Sequence, residues 1–401
     1  MNNIKDDFEK LNRIEQKILG INQDKFTVAS WLYRRVQIFQ HLKIEQKKKK
    51  YFSRILDILI EFKNIIKLRN SKNIVFLSGR LDEDGNDLYI PSAIYRETDT
   101  AVYIYSQQDN VLPIDLTCAS SIRSIRTLTA TLAVVIGPFL MLSPRFFKSL
   151  VLHMKIEKSF SGLRPLHALV RLSDFVFLSL MFRLIINVSK VERVHFTSRS
   201  FFLPLLHILP DHVLSSEYMH AVVHPYHPAY SASWLKPELQ LFPKLVIDTN
   251  SASWPSDMPL VNSRVISWVE NSNIGIYQTV STADYLMTKT DLTVCVIGQP
   301  FNLRPHLRKL VTWCGNFDNI QFIYCPHPRE LEEALNDNLE ILNNPEVQNW
   351  AIVKGRRDID ILFGIESNAL VEASKLGYRI VISDGYMTPV MKSLIPTCLV
   401  I

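Results

Sequence analysis

The sequence is poor in the residues that mark several protein classes. Among its 401 residues there are only 12 glycines and 20 prolines, which excludes collagen-like and low-complexity chains. Its five cysteines, Cys118, Cys295, Cys314, Cys325 and Cys398, are odd in number, far apart and never arranged as CxxC, so neither a disulfide framework nor a structural zinc site is expected. Charged residues make up 21% against 47% hydrophobic, the reverse of a disordered composition. No P-loop, GxGxxG, GxSxG, HExxH or zinc-deaminase pattern occurs, which argues against ATPases, dehydrogenases, α/β-hydrolases and metalloproteases. The net charge of +6 is spread over 45 basic and 39 acidic residues. Such dilute basicity points to an anionic membrane surface or an anionic small substrate rather than to nucleic acid.

What is present is a long chain with alternating strand and helix signals. At about 100 to 200 residues per domain, the length suits two domains and an appendage. Residues 1–70 read as a helical N-terminal extension, with Phe52, Ile55, Leu59, Phe62 and Ile66 along one helical face. Strand candidates follow at 74–77, 101–105, 194–196 and 213–218, and then at 245–247, 293–298, 321–325, 360–364 and 379–383. Short, nearly all-apolar strands separated by helices imply parallel sheets covered on both faces. The expected fold is therefore α/β: two Rossmann-like domains facing a cleft, the first at 71–240 and the second at 241–401. Ligands of such sheets lie beyond the carboxyl ends of the strands.

The opening MNNIKDDFEK carries acids where a signal peptide has only bases, so the expected compartment is the cytoplasm or the inner face of its membrane. Residues 127–144 have no charge and are flanked by Arg123, Arg126, Arg145 and Lys148. A buried core helix, an interfacial apolar face and a membrane span all fit this pattern, although Gly137-Pro138 disfavours a straight span. The apolar run at 175–182 and Lys47 to Lys50 favour the interfacial alternative.

Three strand ends carry candidate chemistry. In YCPHPRE two prolines stiffen a turn that presents His327 and Arg329, cations suited to a phosphate. In GIESNALVEASKLG, Ser367 or Asn368 is a helix N-cap whose neighbouring amides can meet phosphate oxygens, and Glu372 can accept from ribose hydroxyls. In EYMHAVVHPYHPAY, Glu217 or His220 is a candidate general base, while Pro225 and Pro228 break the helix that a metal site of His220, His224 and His227 would need. Asp84, before Gly85, is a further candidate base.

The runs TVCVIGQPFN, FIYCPHPRE and GIESNALVEASKLG resemble the donor domain of bacterial GT-B glycosyltransferases, nearest to lipooligosaccharide sialyltransferase-like and surface-polysaccharide enzymes. That resemblance covers mainly residues 210–401. It implies that His327 and Pro328 form an HP motif and Ser367 a serine motif, which grip the phosphate of a CMP-activated sugar near Gly298 and Gln299. It further implies an inverting, metal-independent transferase with no cofactor beyond the sugar donor. The implied partners are a nucleotide sugar and a glycan or glycolipid acceptor; the apolar and basic segments add an inner-membrane surface, and a homodimer is a further expectation. A CDP-polyol-phosphate transferase and a non-catalytic glycan- or nucleotide-binding component of a polysaccharide assembly complex are the alternatives.

Overall fold

The computed structural model describes residues 4–20, 24–43, 71–77, 87, 90–96, 100–104, 119–161, 165–197, 199–218, 232, 234–235, 239, 241–242, 245–249, 264–267, 282–299, 303–327, 330, 332–385 and 388–401. Thirteen strands in these residues form two sheets. The first contains β1 (Asn73–Leu77), β2 (Thr100–Ile104), β3 (Ala119–Ser121), β4 (Arg193–Thr197), β5 (Leu214–Tyr218), β6 (Leu245–Thr249) and β7 (Arg264–Ser267). The second contains β8 (Asp291–Ile297), β9 (Asn319–Cys325), β10 (Glu346–Val347), β11 (Ile361–Gly364), β12 (Ile380–Ile382) and β13 (Leu399–Val400).

Among the described residues every strand pairing is parallel. The first sheet runs β3-β2-β1-β4-β5-β6-β7 and the second β10-β9-β8-β11-β12-β13. In each, the chain builds outward in one direction, returns to its first strand and continues the other way. This is the order of a doubly wound Rossmann-like sheet, and it confirms the expected α/β architecture with a helical N-terminus.

Side-chain alternation explains why both faces of the second sheet are apolar. Cys295, Ile297, Ile323, Cys325, Leu362, Ile380 and Ile382 belong to one buried cluster. Their neighbours along the strands, Val294, Val296, Tyr324, Ile361, Phe363 and Val381, belong to another. Successive strand residues point to opposite faces, so a sheet covered on both sides needs apolar residues at nearly every position.

The N-terminal helices are part of the first core rather than an extension to it. Helix Ile4–Leu19 buries Phe8, Leu11, Glu15 and Leu19, spaced by three and four residues. Helix Lys25–Lys43 is started by Asp24, whose carboxylate accepts from the Thr27 amide at 3.1 Å. It buries Val28, Ala29, Trp31, Leu32 and Tyr33 nearly all round, and both helices share one core with Ile74 and Phe76 of β1, Val194 and Phe196 of β4, and helix Pro165–Val188. Two ion pairs are sealed inside: Arg35 with Glu15 at 3.0 Å, and Arg34 with Glu157 through contacts of 2.7 and 3.0 Å. The amphipathic segment from Phe52 to Ile66 and the Lys47 to Lys50 run lie outside the described residues.

Two other expectations are corrected. The strand at 245–249 pairs with β5 and is followed by β7 in the same sheet, so the first unit continues past residue 240 to at least Ser267. An apolar strand looks the same from either sheet, and only its hydrogen-bonded neighbour assigns it. Residues 127–144 are neither one helix nor a span: helix Ile122–Val135 gives way to a 3-10 turn at Gly137–Leu142, and helix Pro144–Ser161 then begins with proline at its first position. Among the described residues no helix is long and apolar enough to cross a membrane. The run at 175–182 is core, since Phe175, Leu178 and Phe182 are all buried.

Candidate functional site

The switch point of the second sheet lies between β8 and β11, where the chain reverses its direction of building. The carboxyl ends of two strands flanking a switch point are the usual ligand position of such a sheet. Gly298 and Gln299 follow β8, while Ile365, Glu366 and Ser367 follow β11.

Gly298 is required by close packing. Its amide donates to the Cys325 carbonyl at 2.8 Å, and a Cβ at this position would stand 2.7 Å from the His327 nitrogen and 2.8 Å from the Cys325 oxygen. Both are backbone atoms with little freedom to move. Gln299 is only 5% exposed, and its Nε2 has no hydrogen-bond partner among the described residues. A buried amide N–H left unpaired costs about 1–3 kcal/mol, a cost that a bound acceptor atom would relieve.

Beside β8, the turn after β9 is held by Glu330. One oxygen of its carboxylate accepts from the Tyr324 hydroxyl at 2.5 Å and from Asn338 Nδ2 at 2.7 Å, and the other accepts from the His327 amide at 3.1 Å. The Glu330 amide in turn donates to the His327 carbonyl at 2.8 Å. Burial, with the Glu330 carboxylate beside it, pushes the Tyr324 phenol well above its usual range and keeps it a donor. His327 is half-buried and close against Gly298, so these two expected site residues are brought together. Pro328 and Arg329 lie outside the described residues.

After β11, Ser367 takes an extended conformation and its Oγ accepts from the Ala369 amide at 3.1 Å, which makes it the N-cap of helix Asn368–Lys375. Asn368 is therefore the first helical residue and not the cap. Gly364 lets the helix close on the strand, because a Cβ there would lie 2.9 Å from a methyl of Leu370. Glu372 is exposed and accepts from the Trp350 indole at 3.2 Å.

A further pair at this edge was not singled out from the sequence. His306, in the first turn of helix Arg304–Cys314, meets the Ser383 hydroxyl after β12 with Nδ1 at 2.8 Å. Burial and then Lys309 lower the His306 pKa, favouring the neutral ring. The Ser383 amide donates to Gly364 at 3.0 Å, which ties this pair to β11. Ser383 directly follows an apolar strand, a signal the sequence carries, whereas His306 sits in the first turn of its helix and its pairing shows only in the fold.

The candidate bases fare differently. Glu217 is wholly buried on β5. Phe76, Phe196 and Glu217 are register partners across β1, β4 and β5, so the carboxylate shares the face that packs into the first core. That environment keeps it from an acceptor hydroxyl. Its strand neighbour Tyr218 is paired with His195, hydroxyl to Nδ1 at 3.2 Å. Asp84 and His220, with His224 and His227, lie outside the described residues.

No family model matches the chain, and no curated protein matches it. Among solved structures it is similar to a trehalose-6-phosphate synthase studied for enzymatic glycosyltransfer with retention, at 10% identity and a TM-score of 0.40 over 82% of this chain and 87% of that one. A likeness at that level carries no functional argument, so the site must be judged on its own geometry.

Proposed function

We propose that the chain is a glycosyltransferase which binds a nucleotide-activated sugar at the carboxyl edge of the second sheet. The observation that carries this reading is Gln299, a buried side chain whose N–H is unpaired among the described residues, at the switch point between β8 and β11. The capped start of helix Asn368–Lys375 leaves the same strand edge. Amides in the first turn of a helix favour a negative group, and a nucleotide phosphate is the anion that Rossmann-like sheets most often place there.

The finer assignment follows the motif resemblance. The donor is a CMP-linked sialic acid or related acidic sugar, and the acceptor is a cell-surface lipooligosaccharide or capsular glycan reached at the inner face of the membrane. The acceptor oxygen attacks the anomeric carbon, the glycosidic bond to phosphate breaks with its electron pair going to the phosphate oxygen, and CMP departs. His327, Arg329 and the helix amides after Ser367 meet the charge that develops on that phosphate. The acceptor proton passes to a base, with His220 and Asp84 as candidates now that Glu217 is buried. The reading includes no metal and no second cofactor.

A non-catalytic nucleotide- or glycan-binding role is the second reading, and the burial of Glu217 favours it. Incubation with a panel of nucleotide sugars and glycan acceptors separates the two. The proposal expects CMP release with sugar transfer, lost in His327→Ala. Turnover of UDP- or GDP-sugars alone overturns the CMP assignment; CMP release with phosphate retained in the product selects a polyol-phosphate transferase. Nucleotide binding without turnover by any donor selects the binding component.

A further inference from the structure

Among the described residues, the densest run of exposed large apolar side chains is far from these strand ends in sequence. Around the 3-10 turn Gly137–Leu142, the side chains of Val134, Val135, Ile136, Phe139, Met141 and Leu142 are all exposed, with Leu142 at 84% and Phe139 at 68%. Phe147, on the first turn of the next helix, is also exposed. Isolated exposed apolar residues are ordinary, but a contiguous group of this kind marks an interaction surface.

The turn is held firmly from beneath. Gly137 is buried so tightly that a Cβ would stand 2.6 Å from Ser173 Oγ on helix Pro165–Val188. Leu140 packs into the cluster of Phe146, Leu150, Ala168 and Leu172. Its neighbours on either side are thereby turned outward, which is the opposite of what a folding core alone would select.

The backbone of the turn suits a medium poor in water. The Phe139 amide donates to Ile136 at 2.9 Å and the Ser143 amide to Leu140 at 3.0 Å, while Pro138 and Pro144 have no N–H to satisfy. Entry into a bilayer interface therefore leaves few backbone donors stranded. Charge points to the partner: no Asp or Glu occurs from Leu116 to Ile156, whereas Arg123, Arg126, Arg145, Lys148 and Lys155 fall within that span. Arg145 and Lys148, both exposed, stand at the margin of the apolar group; Arg145 also reaches Asp24 at 3.4 Å.

We propose that this turn and the adjoining helix ends form a membrane-interface anchor, whose apolar side chains enter the headgroup region of a bilayer while the basic rim meets anionic lipid. A second copy of the chain is disfavoured as occupant, because a two-fold contact through this patch sets one basic rim against another. The inference stands independently of the glycosyl-transfer reading, since its test uses neither donor nor acceptor.

The test is co-sedimentation of the full chain with phosphatidylcholine vesicles with and without phosphatidylglycerol, at low and high salt. Binding is expected to the anionic vesicles and to weaken with salt. Phe139→Asp combined with Leu142→Asp should lower partitioning on the order of tenfold or more. These positions are exposed, so thermal melting should be unchanged; Leu142→Asp alone serves if the pair melts early. Lys148→Glu should weaken binding to anionic vesicles only. Wild-type protein that ignores both vesicles, or equal binding by wild type and the aspartate variants, overturns the anchor. So does a dimer that these substitutions dissolve in the absence of any vesicle binding.

Discussion

The two sheets share one winding order yet treat polar side chains in opposite ways. In the first, titratable groups are sealed among apolar helices: Arg34 with Glu157, Arg35 with Glu15, and His153 against Trp31 and Ser30. In the second, polar groups gather at the carboxyl edge, where Gln299 has no partner among the described residues, Ser367 caps a helix and His306 meets Ser383. The same topology thus serves two ends, and the placement of polar residues along the strands tells them apart. Sealed among apolar helices, they belong to a core; gathered at the carboxyl edge beside a switch point, they form a candidate site.

Acid should separate the two units most strongly. Burial lowers His153 to about 3 and His195 and His207 to about 4, from an ordinary value near 6.5. These rings are neutral in the folded protein, so between roughly pH 6.5 and the lower values the unfolded chain binds more protons. Stability from them is complete above about pH 6.5 and is lost as pH falls toward 4 and then 3. Each unit of separation corresponds to about 1.4 kcal/mol. Hydrogen exchange across this range should show the first unit opening before the second, where His306 is only half-buried; simultaneous opening would break the comparison.

The buried ion pair gives the next largest effect. Glu157→Ala leaves the Arg34 guanidinium in the core without its carboxylate partner, and denaturant unfolding should show a loss of about 3–5 kcal/mol. Nucleotide affinity of the remaining folded protein should be unchanged.

Gln299→Ala should do the reverse at a smaller scale. Removal of this buried amide is expected to leave the melting temperature unchanged or slightly raised, because no described residue accepts from its N–H. Calorimetric titration should show CMP affinity falling on the order of tenfold, the value of about one hydrogen bond. A large drop in melting temperature with unchanged affinity would make Gln299 a packing residue and remove the contrast between the sheets.

Much of this fold is legible in the sequence because parallel strands buried on both faces read as short apolar runs. IVFL, TVCVIG, QFIYC, DILFG and RIVIS all become strands. Their partners are not legible: LVI at 245–247 looks like any of these, and only its hydrogen bonds assign it to the first sheet. The N-terminal helices show by spacing that they pack, but spacing does not say that they complete a core with β1 and β4. At the site, the two flanking prolines mark the 327 turn, since their constraint is local, whereas Gly298 and Gln299 enter only through the motif resemblance. Glu330 escaped notice because an acid after Pro-Arg reads as surface, and three hydrogen bonds from residues spread over Tyr324 to Asn338 appear only in the folded chain.

The central claim is that the second sheet, at its switch point, is where a nucleotide binds. Hydrogen exchange of the whole protein with and without CMP tests it most directly. Protection is expected in peptides spanning 296–300, 325–330 and 364–370, with the strands of the first sheet unchanged. Protection confined to the first sheet, or none at saturating CMP, would contradict the account.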